Sequence, residues 1–323
     1  MTVYDRCLQS NAEPVPRMSL TDAKLRYLVE AATLGSMRAA GEKLDVAVSS
    51  ISRQIAQLES DVGMPLIERG RRSIKLTEAG ELALHYYRES VAHREALVSS
   101  LHALRGLRAG NIQLAIGEGF VSALPALLQS FLAAHEGVQI SVKMAATLEV
   151  IRQVTEDEAH IGLVFQVPAD PKISVRSSLP QPIKLIVHPR HPLAQSPSVS
   201  LRQLEGHRLC LPEPSFRIRQ MISAAEAQER VSLNSHFTSN SLHMLKEMAK
   251  SGDYATLLPE IAVVVELRAR ELVSVPLASR GLQDTSINLI SRLGRMLPTA
   301  PAALLPLLEG GMRAWFRGAR NRA

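Results

Sequence analysis

The spacing of apolar positions changes near residue 110. Before that point apolar residues recur three and four apart. Leu25, Leu28, Val29 and Ala32 mark one face of a helix that "LGS" at 34–36 ends, with Gly35 in the stop position and Ser36 placed to cap a second helix. In that second helix, "MRAAGEKL", the small residues Ala39, Ala40 and Gly41 would let another helix cross closely. The next stretch, "VAVSSISRQIAQLES" at 46–60, sets Ile51, Ile55 and Leu58 on one side and Ser49, Ser50, Ser52, Arg53, Gln54 and Gln57 on the other. "VGMPLIERGRRSIKLT" then places apolar pairs on both sides of a charged segment with a glycine at its tip, which predicts a two-stranded hairpin. Three short helices and a hairpin make a helix-turn-helix with a wing.

From Thr77 to about Leu107 no proline intervenes, and Leu84, Tyr87, Val91, Arg94, Val98 and Leu101 keep a three-four spacing broken only by Arg94. A helix of roughly 30 residues reaches about 45 Å, too long to bury against one small domain. Pairing with a second copy of the chain accounts for it, the Arg94 stem still covering apolar surface; an ordinary amphipathic surface helix is the alternative. "RAGN" at 108–111 reads as a hinge. Beyond it strands alternate with helices through "IQLAIG", "QISVKMA", "HIGLVF", "KLIVHP", "HRLCLP", "HFTSN", "YATLLP" and "INLISR". That alternation predicts mostly parallel sheets between helices.

Composition narrows the class. A chain of 323 residues with 46% hydrophobic content has the length for about two packed domains. No apolar run reaches the roughly 18 residues of a membrane helix, and the first 17 residues lack the apolar core of a secretory signal. A soluble, cytoplasmic protein with no membrane partner is expected, its polar leader a disordered tail or the product of an upstream start codon before Met18. Cys7 and Cys210 form no metal or redox motif. The net charge of +6 permits nucleic-acid binding without requiring it. Its distribution says more: "RGRRSIK" gathers Arg69, Arg71, Arg72 and Lys75 with no acid.

Enzyme chemistry finds little support. "GEGFVS" at 117–122 follows a strand and precedes a helix, yet Ser122 replaces the third glycine of a dinucleotide fingerprint and "VKMAA" lacks the expected acid. In "HPRHP" the prolines make a turn of His188 and His191, and no further ligand cluster completes a metal site. Neither a G-x-S-x-G elbow nor an H-E-x-x-H helix occurs. No cofactor is expected. A solute-binding protein would explain only the second half and would need an export signal; a metabolic enzyme would explain neither the first half nor the missing catalytic groups.

The stretch "LRYLVEAATLGSMRAAGEKLDVAVSSISRQIAQLESDVGMPLIERGRRSIKLTEAG" resembles the LysR-type transcriptional regulators, and weaker similarity continues through "HPLAQSPSVSLRQLEG", "SNSLHMLKEMAKSGDYATLLP" and the final helix. The resemblance implies an α/β protein overall. Its parts would be a leader (1–17), an all-α winged helix-turn-helix (18–77), a dimerisation helix (78–107) and a two-lobed, periplasmic-binding-protein-like effector domain (108–323). Lobe one would take about 112–178 and 278–323, and lobe two 179–277, the chain crossing near Leu179 and returning near Leu277. Family members often carry serine and glutamine where this chain has Ala47 and Val48, and proline or serine at Ser49. Ala47 thus removes a usual cap oxygen, leaving Ser49 for that work, while Val48 can meet a thymine methyl but not hydrogen-bond adenine.

The implied function is a regulator that binds an inverted-repeat promoter site in double-stranded DNA and answers a small-molecule effector. Candidate DNA contacts are Val48, Ser49, Ser50, Ser52, Arg53 and Gln57 on the reading helix, and Arg69, Arg71, Arg72 and Lys75 on the wing. Arg53 is long enough to reach a guanine edge or a phosphate. Candidate effector contacts are Glu118, Gly119, Phe120, Thr147, Ser215, Phe216 and Asn240, which stand where strands end and helices or crossovers begin. An ionised Glu118 there favours a neutral or amine-bearing effector unless Arg217 pairs with it. A homodimer through the long helix, assembled further into a homotetramer, follows from the resemblance, which also leaves room for a contact to RNA polymerase.

Overall fold

The computed structural model of the chain describes residues 21–68, 73–103 and 110–315. They form two compact units divided between Val91 and Ala92.

The first unit holds helices α1 (Asp22–Thr33), α2 (Met37–Leu44) and α3 (Val48–Val62) and the start of α4 (Glu78–Ala103). Its core is Leu25, Leu28, Ala31, Ala40, Ile51, Ile55, Leu58 and Leu66. Ala31 takes the innermost place on α1, while Val29 and Ala32, expected there, are half-buried. Gly35, with φ of +64°, turns the chain after α1, and its carbonyl accepts a bond from Ile74 N at 3.1 Å. Ser36 caps α2 by accepting from Ala39 N. A Cβ on Gly41 would stand 2.8 Å from the Val46 carbonyl oxygen, so only glycine lets the α2–α3 turn fold back this closely. One expectation fails: Ala47 is the N-cap of α3 without a side-chain bond, and Ser49 does not replace it. The first turn points its serines outward, away from the backbone donors a cap would serve.

The wing arms meet at an antiparallel bridge between Ile67 and Leu76, with Glu68 N donating to Lys75 O at 2.9 Å. Glu59 Oε1 fixes the outgoing arm by accepting from Leu66 N at 2.8 Å and Ile67 N at 3.2 Å. Thr77 then caps α4, accepting from Gly80 N and donating to Pro65 O. Ala79, Ala83 and Tyr87 pack on the core of the first unit. This corrects the expected pairing seam: Tyr87 covers its own core and Leu84 is buried within the single chain. Val98 and Leu101, expected in the seam, are exposed, as are Leu82, Tyr86 and Leu97. The first turns of α4 must cover the three-helix core, which takes Leu84 and Tyr87 out of the seam.

In the second unit the larger sheet runs β2-β1-β3-β10-β4. Its strands are β1 (Gly110–Ile116), β2 (Val138–Met144), β3 (Ile161–Phe165), β4 (Ile173–Pro180) and β10 (Ser286–Arg292). Helices α5 (Leu124–Ala134), α6 (Thr147–Thr155) and α11 (Thr299–Ala314) cover it. The other lobe has β5 (Ile183–Val187) between β8 (Thr256–Pro259) and β9 (Val273–Val275), and β6 (Leu209–Pro212) beside β7 (Ser235–Ser239). Helices α7 (Arg217–Glu229), α8 (Leu242–Lys250), α9 (Val264–Ala269) and α10 (Arg280–Gln283) complete it.

The sheets are mixed, not mostly parallel. Pairs β1/β2, β1/β3 and β6/β7 are parallel, whereas β10 runs antiparallel to β3 and β4, and β5 antiparallel to β8 and β9. The antiparallel pairs arise where the chain passes between lobes and re-enters a sheet reversed. It crosses after Pro180 and returns after α10; Leu277, near which the return was expected, still pairs with Val199 in lobe two.

Candidate nucleic-acid interface and ligand cleft

Ile51, Ile55 and Leu58 anchor α3 in the core. Three buried positions at helical spacing leave the other side facing out. Val48, Ser49, Ser50, Ser52, Arg53 and Gln57 are all exposed there. Arg53 has no ion-pair or hydrogen-bond partner among the described residues, so its guanidinium keeps all its donors. Gln57 differs, because its Nε2 donates to Asp61 Oδ1 at 2.9 Å. Lys24 Nζ holds the other oxygen of Asp61 at 2.6 Å, and these bonds, from Lys24 first and then Gln57, keep the Asp61 carboxyl below its ordinary range. Lys75 is exposed on the returning wing arm. Arg69, Arg71 and Arg72 lie outside the described residues. A helix surfaced with hydroxyls and one long cation, next to a wing arm, suits entry into a DNA major groove, where short side chains permit close approach and arginine can fork onto guanine.

The second unit has a cavity between its lobes. Glu118, Gly119, Phe120, Thr147 and Phe216 all line it, as do Phe165, Leu242, Ile261 and Ile287. Ser215 and Asn240 do not. Both are exposed, and Ser215 Oγ donates to Glu213 Oε1 at 2.8 Å. Phe120 is only 2% exposed and lies against Trp315 with ring centroids 6.3 Å apart, so it is a wall of the cavity continuous with the core. The Glu118 carboxylate does not meet Arg217. Its Oε1 accepts from Ser241 Oγ at 3.1 Å and from His243 N at 3.2 Å, both at the start of α8. Arg217 instead donates to Gln220 Oε1, and its Nε is buried without a partner among the described residues. Sequence reasoning missed Ser241 and His243 because nothing local to "SNSLHM" shows which loop faces it.

The other singled-out groups are structural. His188 Nδ1 accepts from Arg190 N and His191 Nδ1 from Leu193 N, which fixes the "HPRHP" turn. Burial pushes the Cys210 thiol up to about 12, the state of a core sulfhydryl rather than a nucleophile.

A helix-turn-helix unit joined in one chain to a two-lobed α/β unit with an interlobe cavity defines a ligand-responsive DNA-binding regulator. Residues 23–81 match the family model described as bacterial regulatory helix-turn-helix protein, lysR family, and residues 105–313 match the LysR substrate binding domain. The chain belongs to the LysR family of transcriptional regulators, and its role is regulation of transcription, not catalysis. It is 23% identical over 287 residues to the RuBisCO operon transcriptional regulator of Allochromatium vinosum, covering 88% of this chain and 94% of that one. The fold is shared with a full-length OxyR variant from Pseudomonas aeruginosa, at a TM-score of 0.67 and 16% identity over 91% of this chain and 95% of that one. It is also shared with full-length CbnR crystallised with its target DNA, at a TM-score of 0.56 and 21% identity over 90% of this chain and all of that one.

Proposed function

We propose that α3 reads the major groove of a promoter, that Lys75 and the wing arginines Arg69, Arg71 and Arg72 contact its backbone, and that an effector taken between the lobes sets the outcome. The division of labour follows the sequence boundaries: 18–77 for DNA binding, 78–107 for pairing, 108–323 for the effector. The observation that carries the reading is the outward side of α3, where Val48, Ser49, Ser50, Ser52 and Arg53 stand exposed above a fully buried Ile51. Exposed Leu82, Tyr86, Leu97, Val98 and Leu101 on α4 supply an apolar stripe for a second copy, and two-fold pairing would place two reading helices on an inverted repeat. Two such dimers would make the tetramer. The relatives' role as regulators supports a cytoplasmic location, and RNA polymerase is the further partner an activator would meet.

The test is fluorescence anisotropy of the full chain on DNA from upstream of its gene, with a salt titration. Neutralising several phosphates makes the logarithm of affinity fall linearly with the logarithm of salt. Binding that is absent at low salt, or that is equal on random DNA, overturns the reading.

A further inference from the structure

Glu118 belongs to lobe one, directly after β1, yet both hydrogen bonds of its carboxylate go to lobe two. Ser241 is the N-cap of α8, and its hydroxyl donates to Glu118 Oε1 while accepting from Met244 N. The next donor, His243 N, is one of the unpaired amides that open every helix. A carboxylate at that position is favoured by the helix dipole as well as by the two donors. The lobes also touch beside it: a Cβ added to Gly119 would come within 3.6 Å of Ala262 Cβ and 3.9 Å of Leu242 Cδ1. What remains between them is a cavity of about 40 Å³. Small-molecule sites usually measure roughly 300 to 1,000 Å³, so a ligand of metabolite size can enter only if the lobes part. Parting them pulls Glu118 off α8.

We propose that Glu118 is a latch, a tethered anion that occupies the α8 N-terminus and holds the effector domain closed until a ligand bearing its own carboxylate or phosphate takes the seat. This rests on the effector reading of the cleft and names the regulation of that site. The ligand class follows from the donors. A neutral ligand that displaced Glu118 without offering an acceptor would leave the Ser241 hydroxyl and the His243 amide unpaired in a closing cleft, and a neutral acceptor would forgo the charge assistance of both bonds. An anionic ligand replaces the bonds it breaks, and the partnerless Nε of Arg217 in the same cavity wall gives it a further donor. Once displaced, Glu118 is rehydrated in the parted cleft, and the seat it leaves presents donors only.

Chemical rescue tests the latch without knowing the effector. Full-length wild type, Glu118→Ala and Glu118→Gln would be compared by hydrogen exchange at the His243 amide, with acetate as probe and chloride at equal ionic strength as control. In Glu118→Ala, exchange should rise by about fivefold or more, the loss of a charge-assisted bond at a helix end. Acetate should reverse most of that rise and chloride should not, while wild type, its seat filled, responds to neither. Glu118→Gln keeps an acceptor without the charge and should fall between. Unchanged exchange in Glu118→Ala, no rescue by acetate, or equal protection of wild type by acetate each overturns the proposal. The readout involves neither DNA nor effector, so failure of the latch leaves the regulator reading standing, and failure of DNA binding leaves the latch standing.

Discussion

Gln181 and Thr285 grip each other across the two connections that join the lobes. Gln181 N donates to Thr285 O at 2.7 Å, and Thr285 Oγ1 donates back to Gln181 O at 2.6 Å. Both side chains are buried, and Gln181 Oε1 also accepts from Ile261 N. The pair ties the two connections together where the lobes join. Thr285→Val keeps the shape but strands the Gln181 carbonyl, and stability should fall by about 1–3 kcal/mol. Thr285→Ser should cost clearly less. Thermal unfolding of the full chain decides it, and equal losses for the two variants would show that the hydroxyl does nothing there.

Arg53→Ala should weaken binding to the specific operator by about tenfold or more. The side chain is exposed and has no partner among the described residues, so the unfolding curve should match wild type. Anisotropy on specific and random duplexes separates two roles. A loss on both by the same factor would make Arg53 a phosphate contact rather than a reader of bases.

The reading helix was legible because a single period placed Ile51, Ile55 and Leu58 inside, which forces the rest of α3 outward. Strand β4 was missed although "ISVRSSLP" sets Ile173, Val175 and Leu179 at alternate positions, because Ser177 breaks the period and none of its residues is fully buried. β9 has only three residues, too few for any period. The cleft was half visible. Strand-end loops pointed to Glu118, Thr147 and Phe216, but Phe165, Ile261 and Ile287 reach the cavity through pairings more than a hundred residues apart for β3 and β10, which no local pattern encodes. Asn240 and Ser215 sit beside the right residues but face outward, a matter of one turn's direction.

Glycine at 80 is required by a close approach, since a Cβ there would lie 2.1 Å from the Leu66 carbonyl oxygen. Backbone cannot yield as a flexible side chain can. Gly80→Ala should therefore destabilise the first unit by more than about 2 kcal/mol and abolish DNA binding at physiological temperature. Gly35 offers the contrast: its φ is +64° but nothing lies within 4 Å of the place a Cβ would take, so Gly35→Ala should cost only about 1 kcal/mol. Circular dichroism melts of both variants test the ranking, and a milder Gly80→Ala would refute the steric account.

Lys246 on α8 and Glu266 on α9 form a buried ion pair at 2.8 Å, each side chain 8% exposed. Glu266 Oε2 has no hydrogen-bond partner among the described residues. Removing one charge strands the other, so Lys246→Met should cost about 3–5 kcal/mol. Lys246→Met with Glu266→Leu removes both and should recover most of that loss, because two charges need no longer be stripped of water. A double variant as unstable as the single one would mean that the pair contributes through packing alone.

His160 Nδ1 accepts a hydrogen bond from Gln113 N at 2.9 Å, so this nitrogen must be unprotonated. Burial, and then the positive charge of Arg295, lower its pKa from the ordinary 6.5 to about 4. Arg295 cannot move aside easily, since it is itself buried and paired with Asp157 at 2.7 Å. Between pH 6.5 and 4 the unfolded chain therefore binds a proton at this site that the folded chain refuses. The contribution of neutral His160 is complete above pH 6.5 and declines steadily as pH falls to 4, by about 3 kcal/mol in all. His191, also lowered by burial and by His207, adds a loss of the same sign. His160→Asn offers an amide oxygen to the Gln113 amide and cannot titrate. Its stability at pH 7 should be lower than wild type through lost packing, but its slope between pH 6.5 and 4 should be shallower. Urea midpoints at half-unit pH intervals measure both, and parallel slopes for the two proteins would show that another group governs the acid response.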